Sequence, residues 1–279
     1  MTSTDQYAVF GHPINHSKSP RIHQLFAKQT QQKITYDAQD VPAEHFEQAI
    51  KSFFKQGGKG LNCTVPLKEL AWQQADSLSQ RAQFSKAVNT LVLQEDGSIL
   101  GDNTDGLGLV ADLTINHSIS LLNSRILILG AGGASRGIIS PLMEKSPKQL
   151  VIVNRTVNKA ITLSREFSQL GDIKGCSYDD IKNDQFDIIL NATSASLSGE
   201  LPPLPDNILA QQGCCYDLAY GNQPTPFVNW GLTHGAGKSL DGLGMLVEQA
   251  AEAFYIWRGI RPETRQIIDL LNSERKNVK

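Results

Sequence analysis

The sequence predicts an α/β fold arranged as two three-layer α/β domains, and three observations carry that reading. Short β-branched and apolar runs alternate with longer stretches of helical periodicity, the signature of parallel α/β architecture. The chain has 279 residues, more than one ordinary core accommodates and about right for two. Two glycine-rich breaks, at 101–106 and 235–244, interrupt the alternation.

In the first third, 7–10, 34–38, 60–65 and 87–93 read as strands, and 20–30 and 43–54 carry helical periodicity. The first break is a cluster of turn formers ahead of an apolar helical stretch at 107–113. Alternation then resumes with strands at 126–129, 150–153, 187–190 and 214–218, and with a helix at 134–143. The second break precedes a long helix with Leu243, Leu246, Val247, Ala250, Phe254 and Trp257 on one apolar stripe. The expected division is 1–106 for the first domain and 107–241 for the second, with the helices of 242–279 returning to complete the first.

Composition removes whole classes of function. Lys and Arg number 26 against 28 Asp and Glu, a formal charge of -2, which disfavours a basic nucleic-acid footprint. A 40% apolar and 19% charged composition suits a folded globular protein. No apolar run reaches the ~18–20 residues of a membrane span, and the N-terminus shows no secretory signal. Cys63, Cys176, Cys214 and Cys215 have no metal-type spacing, and the adjacent pair is awkward for a disulfide. A reduced, soluble, cytoplasmic protein is the expectation.

No metal site is expected either. His12 and His16 have the i, i+4 spacing of a zinc helix, and His23 lies nearby. Pro13 would interrupt such a helix, and no Glu stands where H-E-x-x-H requires one. The segment 102–106 is faintly like a calcium loop, but it has Thr104 at the third ligand position and Leu113 at the twelfth.

The strongest chemical signal is the run Ile-Leu-Ile-Leu-Gly-Ala-Gly-Gly-Ala-Ser at 126–135. A buried strand enters a glycine-rich turn and a helix follows, the context a dinucleotide fingerprint needs. Gly130 permits the tight turn, Gly132 lets backbone approach a pyrophosphate, and the free N–H groups of the new helix face that anion. Ser135 stands at the third fingerprint position instead of Gly or Ala. The next strand ends in Asn154 and Arg155, with Lys159 one turn later, where an NAD enzyme carries an acid for the ribose hydroxyl. A carboxylate there would repel a 2′-phosphate, whereas Arg155 can pair with it in a bidentate fork. The expected cofactor is therefore NADP(H), held by a Rossmann-type domain.

Polar residues on the other side of the first break suggest a substrate site. Ser19 and Pro20 read as N-cap and first residue of a helix, so Ser17 and Ser19 would present hydroxyls beside its positive end, a receptor for a carboxylate. Pro66 opens the next helix with Lys68 in its first turn, where the dipole disfavours a cation and lowers a lysine pKa. Lys68 reads equally as a solvated side chain or as an acid/base group, and Asp105 as a turn former or its partner. Gln249 lies at the edge of the apolar stripe, where solvation is the default.

The sequence resembles the shikimate dehydrogenase family over essentially the whole chain. The residues that carry the likeness lie at 9–20, 62–68, 87–90, 101–106, 130–135, 154–156, 191–193 and 241–245, in the family's order. The resemblance implies an N-terminal substrate domain, a Rossmann NADP domain and a cleft between them. It also implies NADPH-dependent, reversible reduction of 3-dehydroshikimate to shikimate, a step toward chorismate and the aromatic amino acids. Carried over by position, Ser17 and Ser19 would hold the substrate carboxylate, and Thr64, Asn89, Asp105 and Gln249 the ring hydroxyls. Lys68 would be the acid/base group paired with Asp105, and Tyr220 would touch the substrate. Cofactor phosphates would lie at Gly130, Ala131, Gly132, Gly133, Ala134 and Ser135, and the 2′-phosphate at Asn154, Arg155, Thr156 and Lys159. Thr193, Leu218 and Gly242 would complete the cofactor site, the last two along the nicotinamide half.

Two positions depart from the family. Lys159 stands where relatives often carry Arg, which keeps charge but loses the bidentate fork, and Gln80 occupies a position that is often acidic. Two other readings share parts of the pattern. One is a quinate/shikimate dehydrogenase using NAD, disfavoured by the missing acid near Asn154; the other is a non-catalytic NADP-binding sensor, which need not keep Lys68 and Asp105. A monomer or homodimer acting on a small molecule, without nucleic acid or membrane, is expected.

Overall fold

Apolar runs and helical stripes sort into two separate sheets in a computed structural model that describes residues 4–276. One unit takes the chain up to Gly108 and again Val247–Ile267; the other takes Leu109–Leu246 and the chain from Ile268.

The first unit carries strands β1 (Asp5–Gly11), β2 (Ile34–Asp40), β3 (Gly58–Cys63), β4 (Ser77–Leu78), β5 (Thr90–Leu93) and β6 (Ile99–Asp102), in the order β2-β1-β3-β5-β6-β4. β1 pairs in parallel with β2 and β3, while β3–β5 and β5–β6 are antiparallel. Helices α1 (Ser19–Thr30), α2 (Phe46–Lys55), α3 (Lys68–Gln74) and α4 (Gln80–Ser85) accompany them. Phe10, Phe46, Leu61, Leu67 and Leu91 are fully buried in its core. The expected strand at 87–93 starts only at Thr90, because the N–H groups of Val88 and Asn89 bond the Lys68 and Asp102 carbonyls outside the regular ladder.

The second unit is all parallel: β7 (Arg125–Leu129), β8 (Gln149–Val153), β9 (Ile173–Cys176), β10 (Phe186–Asn191), β11 (Leu209–Asp217) and β12 (Lys238–Asp241). Their order, β12-β11-β10-β7-β8-β9, is the doubly wound Rossmann arrangement. Ile126, Leu127, Ile128 and Leu129 are all fully buried, as a parallel strand covered on both faces requires. Helices α6 (Gly133–Met143), α7 (Val157–Glu166) and α8 (Pro226–Thr233) link the strands. The second glycine-rich break contains β12, paired with β11 from Cys214↔Lys238 to Asp217↔Asp241.

The remaining helices are α5 (Asp105–Ala111), which passes into a π-helical turn at Asp112–Asn116, α9 (Leu243–Arg258) and α10 (Arg265–Lys276). All three changes of unit fall inside helices, in α5, α9 and α10. The expectation gave 242–279 wholly to the first unit, but the contacts divide it. Trp257 packs its indole where a side chain at Gly60 would stand and donates from Nε1 to the Leu91 carbonyl at 3.1 Å. Arg275, by contrast, bonds Asp241 and the Gly221 carbonyl, tying α10 to the second unit.

One core residue of the first unit is a histidine. His23 is fully buried, stacked on Tyr36 with ring centroids 4.0 Å apart, and neither ring nitrogen has a hydrogen-bond partner. Burial lowers its pKa from 6.5 to about 3. The unfolded chain therefore takes up a proton that the folded chain refuses, and stability falls as pH drops from 6.5 toward 3. His23→Phe should remove one proton's worth of this dependence, up to about 1.4 kcal/mol per pH unit. Urea unfolding at pH 7 and pH 5 measures it, and an unchanged slope would mean that His23 is protonated in the folded protein.

Candidate active site

The polar residues of the first unit converge where β3 and β6 end and β5 begins. Lys68 opens α3, and its Nζ donates to Asp105 Oδ2 at 2.5 Å. The other carboxylate oxygen, Oδ1, accepts from Asn89 Nδ2 at 2.8 Å. Asn89 is buried, and its own Oδ1 accepts from the Thr104 N–H at 2.9 Å and the Thr90 hydroxyl at 2.8 Å. Those donors fix the amide's orientation and leave its Nδ2 facing Asp105, the Thr104 hydroxyl at 2.9 Å and Gln249 Oε1 at 3.3 Å. Lys68, Asn89, Asp105 and Gln249 thus form one network, and the ion pair gives Lys68 the reason for its place that the helix dipole withholds. The side chains of Lys68 and Asp105 remain 28% and 13% exposed, within reach of a ligand.

Two helix starts differ from expectation. Lys18, not Ser19, is the N-cap of α1, with φ -83° and ψ -8°, so Ser19 and Pro20 become the first two helical residues. The Ser17 hydroxyl accepts from the Ser19 N–H at 3.3 Å and so takes the capping role. The Val65–Pro66 peptide is cis, and Pro66 lies in the turn before α3 instead of opening it. Thr64 follows β3, its N–H bonded to the Phe10 carbonyl at 2.9 Å.

A buried chain of hydrogen bonds joins these places. Ser19 bonds the Tyr36 hydroxyl. That hydroxyl donates to Asn62 Oδ1 at 2.7 Å, and Asn62 Nδ2 donates to the Asn89 carbonyl at 2.9 Å and the Thr90 hydroxyl at 3.1 Å. Sequence reasoning gives Tyr36, Asn62 and Thr104 no role. The available signal is Asn62 itself, an amide between Leu61 and Cys63 in the buried part of β3, where burial demands partners. Gln80 is exposed at the first residue of α4 and takes no part in this network.

The histidines have other employment: His12 Nδ1 lies 3.2 Å from both Asp40 carboxylate oxygens, and His23 belongs to the core. The four cysteines are free and buried, Cys214 and Cys215 included.

In the second unit, β7 delivers the glycine turn. Gly130 has φ +103°, the left-handed region that favours glycine, and a side chain there would press on Thr193 and the Ala192 carbonyl. Ser135 is fully buried and donates to the Gly130 carbonyl at 2.7 Å, so the departure from the fingerprint closes the turn. Ala131 is half-buried, and Gly132, Gly133 and Ala134 are exposed at the start of α6, where the first N–H groups have no helical acceptors. A Cβ at Gly132 or Gly133 would meet nothing within 4 Å, which leaves an open cradle beside those donors. Past β8, Asn154 is half-buried, and Arg155, Thr156 and Lys159 are exposed; a cavity of about 580 Å³ opens beside Asn154 and Arg155. No carboxylate ends β8. The residues present fit a dinucleotide with a 2′-phosphate.

Thr193, Leu218 and Gly242 also meet in this unit. Thr193 donates from its hydroxyl to Asn191 Oδ1 at 2.7 Å, and Leu218 N–H bonds the Asn191 carbonyl at 2.9 Å. A side chain on Gly242 would stand 2.2 Å from the Leu218 carbonyl oxygen. Tyr220, two residues beyond Leu218, is half-buried, and burial raises the pKa of its hydroxyl.

A doubly wound sheet with an anion cradle, joined in one chain to a unit bearing a lysine–carboxylate pair, defines the class of two-domain, dinucleotide-dependent dehydrogenases. Comparison with known proteins narrows the class. Three family models match: the shikimate dehydrogenase substrate binding domain at 9–91, shikimate / quinate 5-dehydrogenase at 113–198, and the shikimate 5′-dehydrogenase C-terminal domain at 242–271. Shikimate dehydrogenase (NADP(+)) of Methylococcus capsulatus is 60% identical over 279 residues, 100% of both chains. Among solved structures, the Ael1 enzyme from Pseudomonas putida has a TM-score of 0.90 and 45% identity, over 96% of this chain and 98% of that one. Shikimate 5-dehydrogenase from Thermus thermophilus, solved with NADP(H) and shikimate, has a TM-score of 0.85 and 31% identity, over 95% and 97%. The chain belongs to the shikimate dehydrogenase family. No helix among the described residues is long and apolar enough to cross a membrane.

The open space at Gly132 yields a test that separates binding from folding. Gly132→Ala should leave the melting temperature unchanged while weakening NADP+ binding about tenfold, because only a bound phosphate would contact the added methyl. Calorimetric titration paired with thermal melting checks both halves; equal NADP+ affinity would mean that backbone and pyrophosphate do not approach closely here.

Proposed function

We propose that the protein catalyses the NADP-dependent, reversible reduction of 3-dehydroshikimate to shikimate, as a cytoplasmic monomer or homodimer acting on a small molecule. The observation that carries this reading is the Lys68–Asp105 pair, a proton donor held at 2.5 Å inside a network of hydroxyl-binding groups. The family's relatives named above are consistent with the same chemistry.

NADPH, when bound, supplies the hydride that the ketone carbon receives. Gly130, Ala131, Gly132, Gly133, Ala134 and Ser135 would hold its phosphates at the start of α6, and Asn154, Arg155, Thr156 and Lys159 its 2′-phosphate. Thr193 would complete the cofactor site, and Leu218 and Gly242 would line its nicotinamide half. Ser17 and Ser19 would bind the substrate carboxylate, with the positive end of α1 behind them. Thr64, Asn89, Asp105 and Gln249 would take the ring hydroxyls, and Tyr220 would touch the substrate.

Lys68 holds a proton on Nζ and gives it to the ketone oxygen as negative charge develops there. Asp105 aims the ammonium: its Oδ2 accepts from Lys68 while Asn89 pins its Oδ1, so the carboxylate cannot rotate away. In the oxidative direction the same lysine takes the proton back from the hydroxyl. The ring therefore needs an alcohol or ketone at Lys68 and hydrogen-bonding substituents for Asn89 and Gln249.

The deciding assay offers shikimate or quinate with NADP+ or NAD+ and follows reduced-nicotinamide absorbance. Reduction should be strongest with shikimate and NADP+; a preference for quinate with NAD+, or no reduction with any pairing, would overturn the reading. Lys68→Ala should lower kcat by about 10²–10⁴ while shikimate affinity stays within a few-fold, because the proton moves only in the transition state. Turnover that survived the substitution would remove Lys68 from the mechanism. Arg155→Ala should raise the NADP+ Michaelis constant roughly tenfold at unchanged kcat, the cost of one charged hydrogen bond at an exposed site. An unaltered preference for NADP+ over NAD+ would rule out Arg155 as the 2′-phosphate ligand.

A further inference from the structure

Asp217 is a fully buried carboxylate at the end of β11 that the mechanism above does not use. It accepts four hydrogen bonds, all from neutral donors. Oδ1 receives Asn191 Nδ2 and the Ala219 N–H, each at 3.1 Å. Oδ2 receives the Ser196 hydroxyl at 2.5 Å and the Thr225 hydroxyl at 2.6 Å. Burial still outweighs these donors and raises its pKa above 3.8. A charged group placed here without a cation is costly, and an apolar residue would pack the strand end more cheaply.

The four donors belong to the segments that leave the sheet at its carboxyl edge, where open α/β sheets bind their ligands. Asn191 ends β10, and its Oδ1 accepts both the N–H and the hydroxyl of Thr193. Ser196 sits in the helical turn Ala195–Ser198 that follows. Ala219 separates Leu218 from Tyr220, and its carbonyl accepts the Gly242 N–H at 3.1 Å. Thr225 caps α8 through the Val228 N–H. One carboxylate thus sets Thr193, Leu218 and Gly242 together.

We propose that Asp217 is the positioning residue for the nicotinamide end of the cofactor, holding Thr193, Leu218 and Gly242 in register through Asn191 and Ala219; this rests on the functional reading above. Its influence should end there: Arg155 and the glycine turn, which take the adenosine and phosphate end, share no hydrogen bond with it.

Two probes separate that role from general stabilisation: NADP+, and adenosine 2′,5′-bisphosphate, which lacks the nicotinamide half. Titration calorimetry on the full chain should show Asp217→Asn weakening NADP+ about tenfold, the worth of a charge-assisted hydrogen bond, with the bisphosphate unchanged within about twofold. Ser196→Ala removes one donor and should weaken NADP+ selectively by about threefold; it carries the test if Asp217→Asn does not fold. Equal weakening of both probes, or of neither, in a folded variant overturns the proposal alone. A wild-type protein that binds neither probe overturns the functional reading and this proposal with it.

Discussion

The chemistry of the first unit depends on the orientation of one amide, that of Asn89. Its carbonyl meets the Thr104 N–H and the Thr90 hydroxyl, so its amino group must face Asp105 and Gln249. Turning it over would set a carbonyl against a carboxylate and leave a buried N–H donor facing the Thr104 N–H, a double loss in a desolvated place. With Asn89 fixed, Asp105 is fixed, and with Asp105, the lysine. Asn62 and Tyr36 continue the same constraint to Ser19, so groups on α1, β2, β3 and β5 are set by one continuous run of bonds.

The two units handle charge by different means. The first opposes an ammonium and a carboxylate and braces the carboxylate with the Asn89 amide, itself held by hydroxyls. The second meets its expected anion with backbone N–H groups at a helix start and a few exposed basic side chains. One of its buried carboxylates, Asp217, is surrounded by neutral donors. Small local arrangements of this kind make a large net charge unnecessary, which is how a chain of formal charge -2 carries the equipment to bind anions.

What was legible in the sequence follows from what is local. The strand of Ile126–Leu129 and the turn at Gly130 could be read directly, because burial on both faces and a left-handed φ each demand particular residues. Lys68 and Asp105 could be named only as candidates, since 37 residues separate partners that the sheet brings together. The cap of α1 falls at Lys18, one residue before Ser19, because backbone angles, and not the presence of a serine, decide where a helix begins. β12 was hidden inside a glycine-rich segment because Lys-Ser-Leu-Asp has no strand pattern of its own and is held by β11. Asn62 and Asp217 escaped for a related reason: a polar residue ending or interrupting a buried strand is informative only once its distant partners are known. Asp217 closes the run Cys214–Cys215–Tyr216, and that abrupt switch from apolar to charged was the one hint available.

The return of α9 to the first unit gives the molecule an order of assembly. Trp257 lies against Gly60 and caps the Leu91 carbonyl, and Arg258 reaches Asp5 at the start of β1 and Gln32 just past α1. None of these contacts exists while the ribosome is still making the first two hundred or so residues, since synthesis runs from the N-terminus. The sheet that is made first is therefore completed late, and a nascent chain carries its unfinished Gly60 surface through the synthesis of the whole Rossmann sheet. A release of the chain short of Trp257 leaves that surface open, which makes α9 a late check on the integrity of the first unit.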